Sequence, residues 1–392
     1  MKKGIILFAF FVLMGTNAYP EENKGEGTAP ENRKAIKLLT DQGGDEKYPE
    51  MIIGGRLQVQ YRNVEGSDTS SEDSRIFLRR AWLTMKVRIS DSGYMVVTPS
   101  TADSIFSLQD THIGFNTNAG TIRIGHHYLP FSGGALTTSK KYQFVEGYLT
   151  SQMAPFYQPG LSILSYFNDR KVEIILGTYN SDLNQNAIAG GKLVKNNIYQ
   201  SNPANIRGSR FLYAGRVSIY PLGYLGKGAE NFSGETKYAV ALGLFVPDDK
   251  KESDATGESL LDSNAAQFDI QLNAGRFCIV SEYAQRNTDW QNSDGISISS
   301  RQTSYSVQGT YLLTQKFSVG LRAESMDYDA DDILVGGAGQ EEDSWTTVGA
   351  NYYFKQHAMK VQINYLMKDE KMQHGGAKPD NNAILFQAAV YF

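Results

Sequence analysis

Among its 392 residues the sequence has a single cysteine, Cys278, so no disulfide can close within the chain. Its five histidines fall at no spacing that would hold zinc. His126 and His127 are adjacent in an extended segment and point to opposite faces. Gly190-Gly191-Lys192 lacks the upstream glycine and the Ser or Thr of a phosphate-binding loop. Long apolar runs are also missing beyond the N-terminus. The longest, Ala239 to Val246, falls far short of the roughly 20 residues a spanning helix needs. Positive charge is not in excess: 38 basic against 42 acidic residues give a net of −4, which argues against a nucleic-acid partner. Nothing in the spacing assembles a catalytic set, so no enzyme, cofactor or metal centre is expected.

What the chain does have begins with Lys2 and Lys3. An apolar run from Ile5 to Met14 follows, then the small-residue exit Gly15-Thr16-Asn17-Ala18. This is the pattern of a secretory signal peptide, residues 1–18. Its removal leaves 36 basic residues against 42 acidic. Residues 19–50 are charged and weakly patterned; they read as a flexible periplasmic lead-in, with a turn of helix at 35–40, and are too few for a plug domain. From Met51 onward, segments of roughly 9 to 13 residues alternate apolar and polar side chains at a period of two. In the segment 358–368, Met359, Val361, Ile363, Tyr365 and Met367 take one face. Lys360, Gln362, Asn364 and Lys368 take the other.

Sixteen such segments are predicted: 52–62, 75–89, 93–101, 104–116, 120–128, 160–168, 171–180, 208–220, 236–246, 264–273, 276–286, 301–313, 317–327, 343–354, 358–368 and 383–392. Brief turns alternate with long polar connections, and the even strand count suits a single-chain barrel with both termini on the periplasmic side. Two connections fit poorly. The link near Thr101 to Ser104 is too short for an outer loop, and 221–235 is too long for a periplasmic turn. The last segment places Ile384, Phe386, Ala388, Val390 and Phe392 on one face, a terminal aromatic on an apolar stripe. A soluble sandwich is the competing reading, but the opposite faces are too consistently polar for it. The fold class is therefore all-β, a transmembrane antiparallel barrel over residues 51–392. Its 23 Tyr and 19 Phe would form interfacial girdles. The expected location is the bacterial outer membrane, with membrane lipid and lipopolysaccharide as partners.

Parity sorts the charges. With Leu57, Val59 and Tyr61 outward, Arg56 and Arg62 face the lumen. With Ala81, Leu83, Met85, Val87 and Ile89 outward, Arg80, Lys86 and Arg88 do so. Arg123, Arg216, Arg322 and Lys360 follow by the same rule, against the inward acids Glu173, Asp269, Glu282 and Glu324. A Lys or Arg facing lipid near the midplane costs about 2–4 kcal/mol, so the sorting has an energetic basis. Nine basic wall residues against four acids favour anions; the competing reading pairs them into a neutral, unselective pore. Arg79 breaks parity and is expected outward, near headgroups where it can snorkel. The outer loops look acidic, around Glu65 to Asp73 and Asp327 to Asp343. Such runs are usually solvated faces, with divalent-cation bridging as a minor alternative.

The first third carries a more specific likeness. Gly55-Arg56-Leu57-Gln58, Phe77-Leu78-Arg79-Arg80-Ala81-Trp82-Leu83 and Ile124-Gly125-His126-His127-Tyr128-Leu129-Pro130-Phe131 resemble the phosphate-selective porin O/P family. So do Ala135-Leu136-Thr137-Thr138-Ser139 and Phe144-Val145-Glu146. The resemblance implies a homotrimeric sixteen-stranded porin, a third outer loop folded into the lumen, and basic side chains along an anion path. Residues 129–159 would be that loop, bringing Lys140 and Lys141 toward the wall; otherwise the two lysines are a solvated tip. Family members usually carry an acid shortly after the Pro-Phe, where this chain has Gly133–Gly134. They also carry a basic residue after Phe-x-Glu, where it has Gly147. These departures separate a general anion preference from a phosphate preference. An occluded barrel serving as an adhesin, or a barrel enzyme, is the alternative in another class.

Overall fold

The computed structural model describes residues 36–37, 48–64, 74–102, 105–153, 157–180, 188–189, 192–193, 211–227, 230–248, 252–253, 259–291, 295, 297–330, 340–372 and 382–392. The predicted signal peptide, most of the lead-in and the acidic segments 65–73 and 331–339 lie outside the described residues.

Period-two segments with one greasy face have a single stable arrangement in lipid. Every backbone group must find a partner without water, and a closed sheet leaves no edge. The strands are β1 Glu50–Val64, β2 Ser74–Arg88, β3 Gly93–Ala102, β4 Ile105–Thr117, β5 Gly120–Tyr128, β6 Tyr157–Phe167, β7 Val172–Asn180 and β8 Phe211–Ile219. They continue as β9 Lys237–Pro247, β10 Ser259–Ala274, β11 Phe277–Gln291, β12 Ser297–Thr314, β13 Phe317–Ala330, β14 Gln340–Lys355, β15 Met359–Met372 and β16 Ala383–Tyr391. Each pairs antiparallel with the next, and β16 pairs back onto β1 from Arg56–Tyr391 to Val64–Ala383. The terminal Phe392 completes the seam: its carbonyl accepts from Gly55 N–H at 3.0 Å and its N–H donates to Gly55 O at 3.1 Å. No helix among the described residues is long and apolar enough to cross a membrane.

All sixteen predicted segments are present, and 120–128 coincides at both ends. From β10 to β15 the strands run several residues beyond the predicted ends on the outer side. Most of these extensions are rich in polar residues, as in Asn287 to Gln291 of β11 and Asp369 to Met372 of β15. Hydropathy alternation stops where lipid stops, whereas the hydrogen-bonded ladder continues into water. The outward face exposes Leu57, Ile113, Ile124, Leu242, Leu321 and Ile363. Aromatics gather near the short-turn end, where Phe277 meets Tyr311 and Tyr352 meets Phe354 at centroid distances of 4.5 and 4.9 Å. Such a belt marks the membrane–water boundary.

Three expectations are corrected. Ile36 and Lys37 form a two-residue strand paired with Met51 and Glu50, not a turn of helix. The inward face is not uniformly polar: Tyr179, Leu212, Ala214, Phe245, Ala265, Ala284 and Met326 form an apolar patch inside the barrel. Arg79 is not outward. Gln58 pairs with Arg80 and Val59 with Leu78, so Arg79 is the extra residue of a β-bulge. A bulge opposes two residues to one and re-aims side chains.

Candidate functional site

The interior apolar patch has a partner. Leu129, Phe131, Leu149 and Met153, from the loop after β5, are at most 1% exposed and pack on it. The loop therefore folds into the lumen, where burial of these side chains stabilises it. Its first turn is α1, Gly133–Leu136, capped by Ser132, whose Oγ accepts from Ala135 N–H at 3.2 Å. Glu282 of β11 holds this turn: its carboxylate accepts from Ser132 Oγ at 3.0 Å, Thr150 Oγ1 at 2.7 Å and Gly134 N–H. A Cβ built on Gly133 would lie 3.0 Å from Asp269 Oδ1 and 3.1 Å from Glu282 Oε1. An acid at this position, usual in the family, would face two carboxylates here.

Wall cations supply the remaining anchors. Arg216 donates to Phe131 O at 2.8 Å, Arg286 to Met153 O at 3.0 Å, Arg322 to Glu146 O at 3.0 Å, and Lys360 to Tyr142 O. Arg216 also pairs with Asp269 at 2.6 Å and Arg322 with Glu324 at 2.8 Å. Glu324 accepts Leu149 N–H at 2.9 Å, and Asn364 accepts Val145 N–H at 2.7 Å. Buried charges are tolerable only when paired and hydrogen-bonded in this way. Arg216 and Arg322 are thus each paired with a wall acid, and all four cations give a donor to a loop carbonyl.

The other predicted cations fall in three places. Arg88 lies at the short-turn end, 3.1 Å from Glu50 Oε2 and from Tyr48 Oη. Lys86 sits over the Tyr94 ring at 4.2 Å. Arg56, Arg123, Lys140 and Lys141 come together around an aqueous cavity of about 340 Å³ on the inner side of the loop, with Asp110, Glu173 and Lys227. Arg56 donates to Ser139 Oγ at 2.7 Å and stacks over Trp82 at 3.9 Å. Tyr391 Oη donates to Ser139 O at 3.1 Å. Lys140 and Lys141 are therefore carried inside the barrel, Lys140 Nζ lying 6.0 Å from the Tyr391 ring. Arg62 and Arg80 line a second cavity of about 330 Å³ on the outer side, with Arg75, Arg79, Lys368 and Glu146.

Sequence reasoning missed Arg75, Arg79, Lys227, Arg286 and Glu146 as lumen residues, and placed Lys368 on the polar face without counting it among the wall cations. Arg286 was recoverable by parity, four positions after inward Glu282. Arg79 was not, because a bulge leaves no trace in hydropathy. Its Nη2 reaches Glu146 Oε2 at 3.2 Å. Burial alone would raise the Glu146 carboxyl, but the guanidinium groups of Arg79 and then Arg80 outweigh it and hold it down at about 2. Among the described residues no cluster of His, Cys, Asp and Glu is arranged to hold a metal.

The profile of the family described as phosphate-selective porin O and P matches residues 52–392. No curated protein sequence matches the chain. Among solved structures, the outer membrane channel DcaP of Acinetobacter baumannii is similar, with a TM-score of 0.60 at 9% identity over 89% of this chain and 99% of that one. The anion-selective porin from Comamonas acidovorans gives 0.58 at 13% identity, covering 88% and 100%. OmpT of Vibrio cholerae gives 0.57 at 15%, covering 91% and 100%. A closed sixteen-stranded barrel, a loop drawn into its lumen and a profile match running to the terminal Phe392 agree: the chain belongs to the phosphate-selective porin O and P family and is an outer-membrane porin.

Proposed function

We propose that the barrel is a passive, water-filled channel that favours small anions and catalyses no reaction. One observation carries the reading: on each side of the in-folded loop, basic side chains outnumber acidic ones around the cavity. On the outer side Arg62, Arg75, Arg79, Arg80 and Lys368 surround Glu146. On the inner side Arg56, Arg123, Lys140, Lys141 and Lys227 face Asp110 and Glu173. Charged and bidentate donors replace part of an anion's hydration shell, and several weak sites in series let it leave again. Lys86 and Arg88 extend the positive lining toward the periplasm. Arg216, Arg322 and Lys360 serve the path indirectly, by fixing the loop that narrows it.

Around this core we propose a homotrimer embedded in outer-membrane lipid and lipopolysaccharide, exported on the signal peptide 1–18. One of the similar structures, OmpT of Vibrio cholerae, is described as a trimer form. In planar bilayers the purified protein should give steady ohmic conductance and a reversal potential showing chloride preference in a KCl gradient. Cation preference would remove the proposal. Lys140→Ala with Lys141→Ala should weaken the chloride preference. Phosphate titrated into chloride separates a binding site, seen as block at low phosphate, from a general anion pore.

A further inference from the structure

The long connection between β8 and β9, described over 220–227 and 230–236, does not hang below the barrel. Tyr220 and Leu225 are buried against Ala239. Together with Ala241 and Gly243, Ala239 gives the periplasmic half of β9 an inward face of small residues, which leaves room for a second intruding segment. Glu230 is buried and accepts from the hydroxyls of Tyr353 and Ser318 and, at 3.4 Å, from the Asn351 amide. Asn231 donates to Glu235 O at 2.6 Å and Gly275 O at 2.8 Å. The Phe232 ring stands edge-on to Tyr353 and His357 at 5.1 and 5.2 Å.

Between these anchors the turn reaches the inner cavity. Lys227 Nζ lies 2.9 Å from Glu173 Oε1 on β7, and a Cβ built on Gly226 would lie 3.0 Å from Lys141 Nζ. The outer loop and the periplasmic turn thus meet inside the lumen and line one cavity. Resting on the porin reading, we infer that residues 220–227 and 230–236 form a second constriction on the periplasmic side, with the Lys227–Glu173 pair as its charge filter. While paired, the two charges largely cancel for a passing ion. Removing either leaves the other uncompensated beside the path, so the two removals act with opposite sign.

Bilayer recording on the full-length mature protein tests this with three variants. Replacing 222–234 by Asn-Gly, a two-residue hairpin turn, should raise single-channel conductance roughly twofold by removing one of two resistances in series. Lys227→Gln should lower the chloride-to-potassium permeability ratio and Glu173→Gln should raise it. Each shift should be about twofold or more, because a unit charge a few ångströms from the ion acts at close range. If the shortened variant does not fold, the two point variants decide alone. A conducting wild type matched by all three variants overturns the inference and leaves the porin reading standing. Shifts of the same sign in the two point variants overturn the filter. A silent wild type overturns both readings together.

Discussion

Glu282 and Glu146 are both lumen carboxylates, yet their surroundings give them different work. Glu282 accepts two hydroxyls and a backbone N–H from the loop, so it acts as a latch. Hydrogen bonds of this kind are worth about 0.5–1.5 kcal/mol each, net. Glu282→Ala should therefore free the first turn of the loop and appear as larger mean conductance with more open-channel noise. Unchanged traces would mean the apolar anchors suffice alone. Glu146 keeps 31% of its side chain open to the cavity and is held by Arg79 and Arg80 at about 2, against an ordinary 4.5. With a depressed folded value, the stability this tether gives is complete above about 4.5 and lost as pH falls through about 2. Conductance noise should stay level down to pH about 4 and rise toward pH 2. Arg79→Ala should move that rise to higher pH, and a rise left in place would show that Arg79 does not hold the carboxylate.

At the level of elements, β9 shows what was legible and what was not. Its run Ala239 to Val246 reads as the longest apolar stretch beyond the N-terminus, and apolar side chains on both faces conflict with a strand lining water. The conflict had a physical cause: the inward face is covered by Phe131 and Leu225 of the two intruding segments. A Cβ on Gly243 would lie 2.1 Å from Phe131 O, so the loop base packs on the bare backbone. Gly243→Ala should push the loop base away at a cost of about 1–3 kcal/mol, the usual overpacking penalty. It should lower the midpoint of thermal unfolding in detergent, and an unchanged midpoint would place the loop elsewhere. The overlong connection 221–235 was likewise visible as a misfit, though not its destination. Strands were legible because lipid enforces one face. The inner site was not, because polar residues that line water and polar residues that grip a loop share the same parity. Arg216 and Arg62 look alike in sequence, yet one is ion-paired at 2.6 Å beneath the loop and the other lines the outer cavity.

For the molecule as a whole, charge is segregated. The chain is net negative, at −4, while the cavities flanking the loop are lined mostly by cations. Which of these an ion feels depends on distance and on salt. Screening lengths are about 10 Å at 0.1 M and about 3 Å at 1 M. Cations that line a cavity of about 340 Å³ act on a permeating ion within the shorter of these lengths. Charges on the outer surface act across bulk electrolyte and are largely screened in strong salt. Chloride preference, measured as reversal potential at a fixed KCl ratio, should therefore fall between about 0.1 M and about 1 M and still persist at the higher concentration. A preference that vanishes at 1 M would assign selectivity to distant surface charge, against the lumen cations. A preference that does not change at all would assign it to the width of the passage, and the charges around the loop would then matter only for holding that loop in place.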